Sequence, residues 1–208
     1  MRIENIKSYP RITFYVDGPL VSYFFLLLQQ GVTVRSRTGI SVASLLREEI
    51  GADPMMIEKI QSIILEGKPV DDLESAVIKD GSVLALSAAM PGLVGATLRR
   101  GGMYSSFRCA ITYHETGGEH VQGEGRVQIK LFNLLMAELG PGLLQKGVIL
   151  RSEDFIRFAA EQSTNFWKGF SRITIDGEPL SPGELPDSAW LSGKGEVILT
   201  VLTDRARA

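Results

Sequence analysis

Apolar and polar positions divide the chain into short strands and amphipathic helices punctuated by glycine. Arg11 to Val16 is rich in β-branched and aromatic residues and reads as a strand, broken by Asp17-Gly18-Pro19. Leu20 to Gln30 is apolar on nearly every face, which predicts a helix covered on several sides, opened by Pro19 and stopped by Gly31. Val32 to Arg35 is a second strand. Ser41 stands where it can cap a helix whose Val42, Leu45, Leu46 and Ile50 share one face, with Gly51 at its end. Asp53-Pro54 opens a further helical turn through Ile60. Ser62 to Val70 is a strand running into a turn, and Ser82 to Leu86 is a strand entered from the Asp80-Gly81 turn. The order to this point is β-α-β-α-β-β.

The second half reads in similar terms. Phe107 to Glu115 has the composition of a strand, Gly117-Gly118 that of a hairpin turn, and the returning strand runs to Leu131 past a glycine-rich irregularity at Gly123 to Gly125. Phe132 to Gln145 is helical in pattern but interrupted by Gly140-Pro141-Gly142. Gly147 to Arg151 is a strand, Phe155 to Ala160 an amphipathic helix, Arg172 to Leu180 a strand and turn, and Gly195 to Val201 the last strand. Phe166, Trp167 and Trp190 are expected in a core or a domain interface.

Three segments recur in the same order. Gly31-Val32-Thr33-Val34-Arg35-Ser36 answers Gly147-Val148-Ile149-Leu150-Arg151-Ser152. Ile64 to Val70 answers Thr174 to Leu180, and Asp80 to Leu84 answers Lys194 to Ile198. An internal duplication accounts for all three. It predicts an α+β protein with one unit over 1–90, a glycine-rich connector over 91–104 and a second unit over 105–208.

The recurring unit resembles the small β-grasp, ubiquitin-like domains of the molybdopterin-synthase small subunit and the thiamine-pathway sulfur carrier. In the first copy the resemblance rests on Ile40 to Leu46, on the Leu65-Glu66-Gly67-Lys68-Pro69-Val70 turn and on Ile78 to Leu86. In the second it rests on Val127 to Leu135. It implies a mixed sheet with a helix across one face. Such carriers end in Gly-Gly, whose carboxylate is activated. The first copy instead runs on through Ser87 to Gly92 and the second through Thr203 to Ala208, so carrier chemistry does not transfer directly.

The stretch from Ala88 to Tyr104 invites three readings. Leu98-Arg99-Arg100-Gly101-Gly102 looks like the tail of a ubiquitin-type modifier, and cleavage after Gly102 would free a Gly-Gly carboxylate. It also serves as a linker. As a third reading, Gly101 and Gly102 can form a backbone nest for an anion, assisted by Arg99 and Arg100. Met90, Leu93, Val94 and Leu98 imply that the stretch packs against its own domains or a partner. His114 and His120, the only two histidines, flank the expected hairpin turn, and a three-residue loop would bring them to one face as a weak metal pair.

Composition narrows the classes further. With 22 basic and 24 acidic residues, no global charge favours nucleic acid. The lone Cys109 excludes an intramolecular disulfide. The longest apolar run is about half the roughly 20 residues of a membrane span, so neither a membrane nor a secretory leader is expected and the cytoplasm is the default. No nucleophile motif or carboxylate pair suggests catalysis, and no cofactor is implied. The expectation is a non-catalytic binding or assembly module with a protein partner, self-association remaining open. A modifier released at Gly102 and a small anion-binding protein are the alternatives.

Overall fold

The computed structural model describes residues 9–108, 110–115, 122–180, 191 and 193–203. In chain order they form β1 (Arg11–Val16), a 3-10 turn (Gly18–Phe24), α1 (Phe25–Gln30), β2 (Val32–Thr38) and α2 (Val42–Ser44), which widens into a π-helical segment (Leu45–Ile50). Next come α3 (Pro54–Lys59), β3 (Ser62–Leu65), β4 (Lys68–Pro69), β5 (Val83–Ser87), α4 (Gly92–Leu98) and a second 3-10 turn (Ser105–Arg108). The chain continues with β6 (Gly123–Phe132), α5 (Leu134–Lys146), β7 (Val148–Arg151), α6 (Ser152–Ala160), α7 (Thr164–Lys168), β8 (Phe170–Ile175), β9 (Glu178–Leu180) and β10 (Glu196–Thr203). The class is α+β with mixed strand pairing.

Local signals act as their chemistry dictates. The Ser41 hydroxyl accepts the Ser44 N–H at 3.1 Å, and the Asp53 carboxylate accepts the Met56 N–H at 2.7 Å with Pro54 in the first turn of α3. Gly31 closes α1 by donating to the Leu27 carbonyl at 2.9 Å. The Glu66-Gly67 and Asp176-Gly177 turns have positive φ at both residues, 51° and 75° in the first and 51° and 92° in the second. That is the two-residue hairpin turn whose twist matches the flanking strands.

The chain divides into two compact units, Met1–Ser22 with Leu144–Ala208, and Tyr23–Leu143. Residues 91–104, read from the sequence as a connector, lie inside the second.

In Tyr23–Leu143 the strand order is β4-β3-β5-β6-β2. The central strands β5 and β6 are parallel, while β3 pairs antiparallel with β5 and β4, and β2 antiparallel with β6. Alternation along the strands turns Ile63, Leu65, Leu84, Leu86, Ile129 and Leu131 into a buried face. The helical stretch after Ser41 buries Val42, Leu45, Leu46 and Ile50.

In the other unit the order is β7-β10-β1-β8-β9. Here β1 and β10 are the parallel central pair, with β8 antiparallel to β1 and β9, and β7 antiparallel to β10. Its core is aromatic. Phe14 meets Phe170 edge-on at 5.0 Å, Phe166 meets Phe170 at 4.6 Å, and Trp167 meets Phe166 at 4.9 Å between ring centroids. Phe166 and Trp167 are thus core residues, while Trp190 lies outside the described residues.

The two orders show the same sequence of strand directions. β2 and β7 hold equivalent places, as do the β3–β4 and β8–β9 hairpins. The third matched pair does not: β5 lies beside β3, whereas β10 lies beside β7.

Three expectations for individual segments are corrected. Residues 107–108 and 110–115 form no strand, while Cys109 and the expected Gly117-Gly118 turn lie outside the described residues. Ser105–Arg108 is a 3-10 turn, and β6 has both edges occupied by β2 and β5, which leaves no side for a hairpin mate. The start of the central stretch is helical, as α4. α5 runs unbroken through Pro141, and Gly140 within it meets α1 so closely that a Cβ there would lie 2.6 Å from Leu28 Cδ1. Among the described residues no helix is long and apolar enough to cross a membrane.

Candidate functional site

Residues 88–108 and 110–115 run from the end of β5 back to the β4 edge, all within the Tyr23–Leu143 unit. Its organising residue is Arg108, only 2% exposed. The Arg108 guanidinium donates from Nε to the Thr97 carbonyl at 2.7 Å, from Nη1 to the Thr112 hydroxyl at 3.0 Å, and from Nη2 to Asp71 Oδ1 at 2.7 Å and the Arg99 carbonyl at 3.2 Å. One planar fork therefore ties the C-terminal end of α4, the glycine turn, the 3-10 turn and the loop after β4 together. α4 and the 3-10 turn pack on each other. At the far end the Tyr113 N–H donates to the Pro69 carbonyl at 2.8 Å, which covers the short edge strand β4.

The residues expected to bind an anion are used inside the fold. The Arg100 N–H donates to the Gln61 carbonyl at 2.7 Å, and its guanidinium donates to the Ile57 carbonyl at 3.1 Å. The Gly101 N–H points to Asp71 Oδ1 at 3.4 Å. Asp71, shared between Gly101 and Arg108, thus stands in the place of the anion. Gly102 is half-buried; its N–H donates to the Arg99 carbonyl at 3.1 Å and its carbonyl accepts from Ser105 at 3.0 Å. Arg99 is the exposed cation of the turn. A protease needs several residues extended in its cleft, which this hydrogen-bonded turn does not offer. Protein isolated from its own host is therefore expected to show the full-length intact mass. A fragment ending at Gly102 would restore the modifier reading.

His114 lies with Asp71, Asp72, Ser75, Thr112, Tyr113 and Glu115 around an open cleft of about 480 Å³. His120, its expected metal partner, lies outside the described residues, among which no group of three metal-ligating side chains occurs. The Tyr113 hydroxyl donates to Glu115 at 2.6 Å, and Glu115 also pairs with Lys79 at 3.0 Å. Burial, and then the bond to Glu115, push the Tyr113 hydroxyl far above its ordinary pKa, so it stays a neutral donor.

What the sequence reading missed is how the apolar residues of this stretch are used. Leu93, Val94, Met103, Phe107 and Ile111 are each more than half exposed, and Tyr104 is 41% exposed. Tyr104 and Phe107 rest on each other, with ring centroids 6.3 Å apart. The charge signal was present in the sequence: from Gly81 to His114 there is no acidic residue, while Arg99, Arg100 and Arg108 are all basic. With Arg108 neutralised by Asp71, the exposed apolar side chains are accompanied by Arg99 and partly by Arg100.

A second feature lies under the start of the stretch. Ala89, Met90 and Pro91 cross the sheet face opposite the core and close one side of a cavity of about 220 Å³ over Ser62, Ile64, Ala85 and Ser87. No family model matches the chain, and no curated protein or solved structure matches it either.

Proposed function

We propose that the protein is a non-catalytic binding and assembly module of two duplicated β-grasp-like units, which offers residues 91–112 to a protein partner. The duplication reading is supported by the equal strand directions, the matched two-residue turns, and the positive φ of Gly31 and Gly147 immediately before β2 and β7.

One observation carries the docking reading: six large apolar side chains stand in solvent on a segment pinned by the buried Arg108. Exposed apolar side chains ordinarily cluster where something covers them, and Met, Tyr and Phe are enriched in interface cores. Pre-organising them on a fixed frame reduces the ordering cost of association. The acid-free run defines the partner as an apolar surface rimmed by carboxylates. A second copy would set arginines against arginines across a two-fold axis, which like-charge repulsion disfavours. The pinned and mutually packed rings suit a shaped protein surface better than a fluid lipid one.

The test places a photo-crosslinking amino acid at Phe107 of the full chain in its own host. A discrete adduct with one other protein is expected. That partner, purified, should bind at least about tenfold more weakly to the Phe107→Ser and Arg99→Glu variants, and more weakly as salt rises. No adduct, an adduct of two copies of this chain, or adducts with lipid alone would overturn the reading.

A further inference from the structure

We infer that the cavity beneath Ala89–Pro91 is a binding site for a neutral, largely apolar small molecule carrying one oxygen, held by the hydroxyl of Ser62. This goes beyond the docking reading and does not depend on it.

Strand pairing assembles the site. On β3 and β5, Ser62 lies opposite Ser87 and Ile64 opposite Ala85, and Ser87 lies opposite Phe132 of β6. Alternation sends these side chains to the face away from the core, because Ile63, Leu65, Leu84 and Leu86 supply the buried face. Met90, Pro91, Phe132 and Asn133 complete the lining of this half-open space.

The polar groups are not equivalent. The Ser87 hydroxyl donates to the Ala89 carbonyl at 3.1 Å and accepts from the Asn133 amide at 3.1 Å; that amide also donates to the Ala89 carbonyl. Ser87 and Asn133 thereby hold the wall. Ser62 is 1% exposed, and its hydroxyl has no hydrogen-bond partner among the described residues. An unmade hydrogen bond at a buried group is a standing cost to the fold, so a ligand that meets it gains accordingly.

Size and chemistry define the ligand class. An apolar cavity of roughly 150 Å³ accepts benzene, so about 220 Å³ takes a substituted ring or a compact branched chain. Among the described residues no ionisable side chain lines the cavity, and a charged ligand would be desolvated without a counter-ion. A water is poorly served, because it needs two to four polar partners and the Ser87 hydroxyl already gives its proton to Ala89 and accepts one from Asn133. An oxygen on an otherwise apolar molecule uses Ser62 and leaves the rest of the wall to apolar contact.

The test titrates the full-length protein, methyl-labelled at Met, Ile and Ala, with p-cresol, toluene and benzoate. Saturable shifts of the Met90, Ile64 and Ala85 methyls are expected with p-cresol, about tenfold weaker with toluene, and weaker still with benzoate. Ser62→Ala should remove the tenfold preference for p-cresol while keeping toluene binding. Ala85→Leu, which fills the cavity from a partly exposed strand position, should abolish both at an unchanged denaturation midpoint. No saturable shift, an unchanged preference in Ser62→Ala, or benzoate binding as tightly as p-cresol would each overturn the assignment.

Discussion

Arg108→Met is expected to lower the stability of the Tyr23–Leu143 unit by about 3 kcal/mol and to open the chain at Arg99 and Arg100 to trypsin. The substitution keeps much of the aliphatic stem and removes all the hydrogen bonds made by the guanidinium. The Thr97 and Arg99 carbonyls and the Thr112 hydroxyl lose a donor, and Asp71 loses the cation at 2.7 Å. The Asp71 side chain is 34% exposed, so solvent recovers part of that loss and the cost falls at the low end of that for a broken buried pair. Arg108→Lys retains the charge on a point donor that cannot span the same acceptors, and should fall between the two. Urea unfolding of the three proteins, with tryptic mapping under native conditions, reads both effects. Equal stability and equal resistance to trypsin would show that Arg108 does not hold the stretch.

Gly95→Ala should have the second largest effect, and the more specific one. A Cβ at this buried helical position would lie 1.7 Å from the Met90 carbonyl oxygen and 2.9 Å from Met90 Cβ. Both obstacles belong to the chain entering α4, so the backbone must move. Overpacking of this kind costs about 1–3 kcal/mol. The displaced parts are Met90 and Pro91, which wall the cavity, and the first turn of α4, which carries Leu93 and Val94. One methyl group is therefore expected to weaken p-cresol binding and Phe107 crosslinking together, each by tenfold or more. Gly101→Ala is the contrast: its φ of +62° makes alanine strained, but nothing lies within 4 Å of the added Cβ, so it should cost about 1 kcal/mol and spare the cavity. Methyl spectra and unfolding curves of the two variants separate a steric effect at Met90 from a general weakening of the loop.

These two residues also show where the sequence was readable. Ser41, Asp53, Gly31 and the Glu66-Gly67 and Asp176-Gly177 turns were legible because capping and positive φ are decided within four or five residues of chain. The partners of β6 were not, since Val127 to Leu131 has the same composition whether it pairs with a hairpin mate or with β2 and β5. The misreading of 107–115 has a related origin. Phe107 and Ile111 are aromatic and β-branched, which suggests a strand, yet both face solvent. Local propensity cannot tell an apolar residue meant for the core from one left outside it. Nor does anything near Arg108 in the sequence announce a buried cation, because its acceptors come from Asp71, Thr97, Arg99 and Thr112. Ser62 is equally silent: its pairing with Ser87 is a property of the sheet.

The parallel pairing of β1 with β10, running from Arg11 beside Ile198 to Val16 beside Thr203, has a consequence for how the molecule is made. Of the described strands β1 leaves the ribosome before the others, and its central neighbour β10 arrives after all of them. The Tyr23–Leu143 unit has all its strands in hand long before that point and can close while the flanking unit waits. Until β8 emerges Ile12, Phe14 and Val16 have no strand partner, and until β10 emerges they lack the parallel one, which is the kind of exposure that holding chaperones recognise. A ribosome that stalls before Glu196 would release a chain with a finished middle and an adhesive front. Quality control could recognise such a failure from the early strand alone.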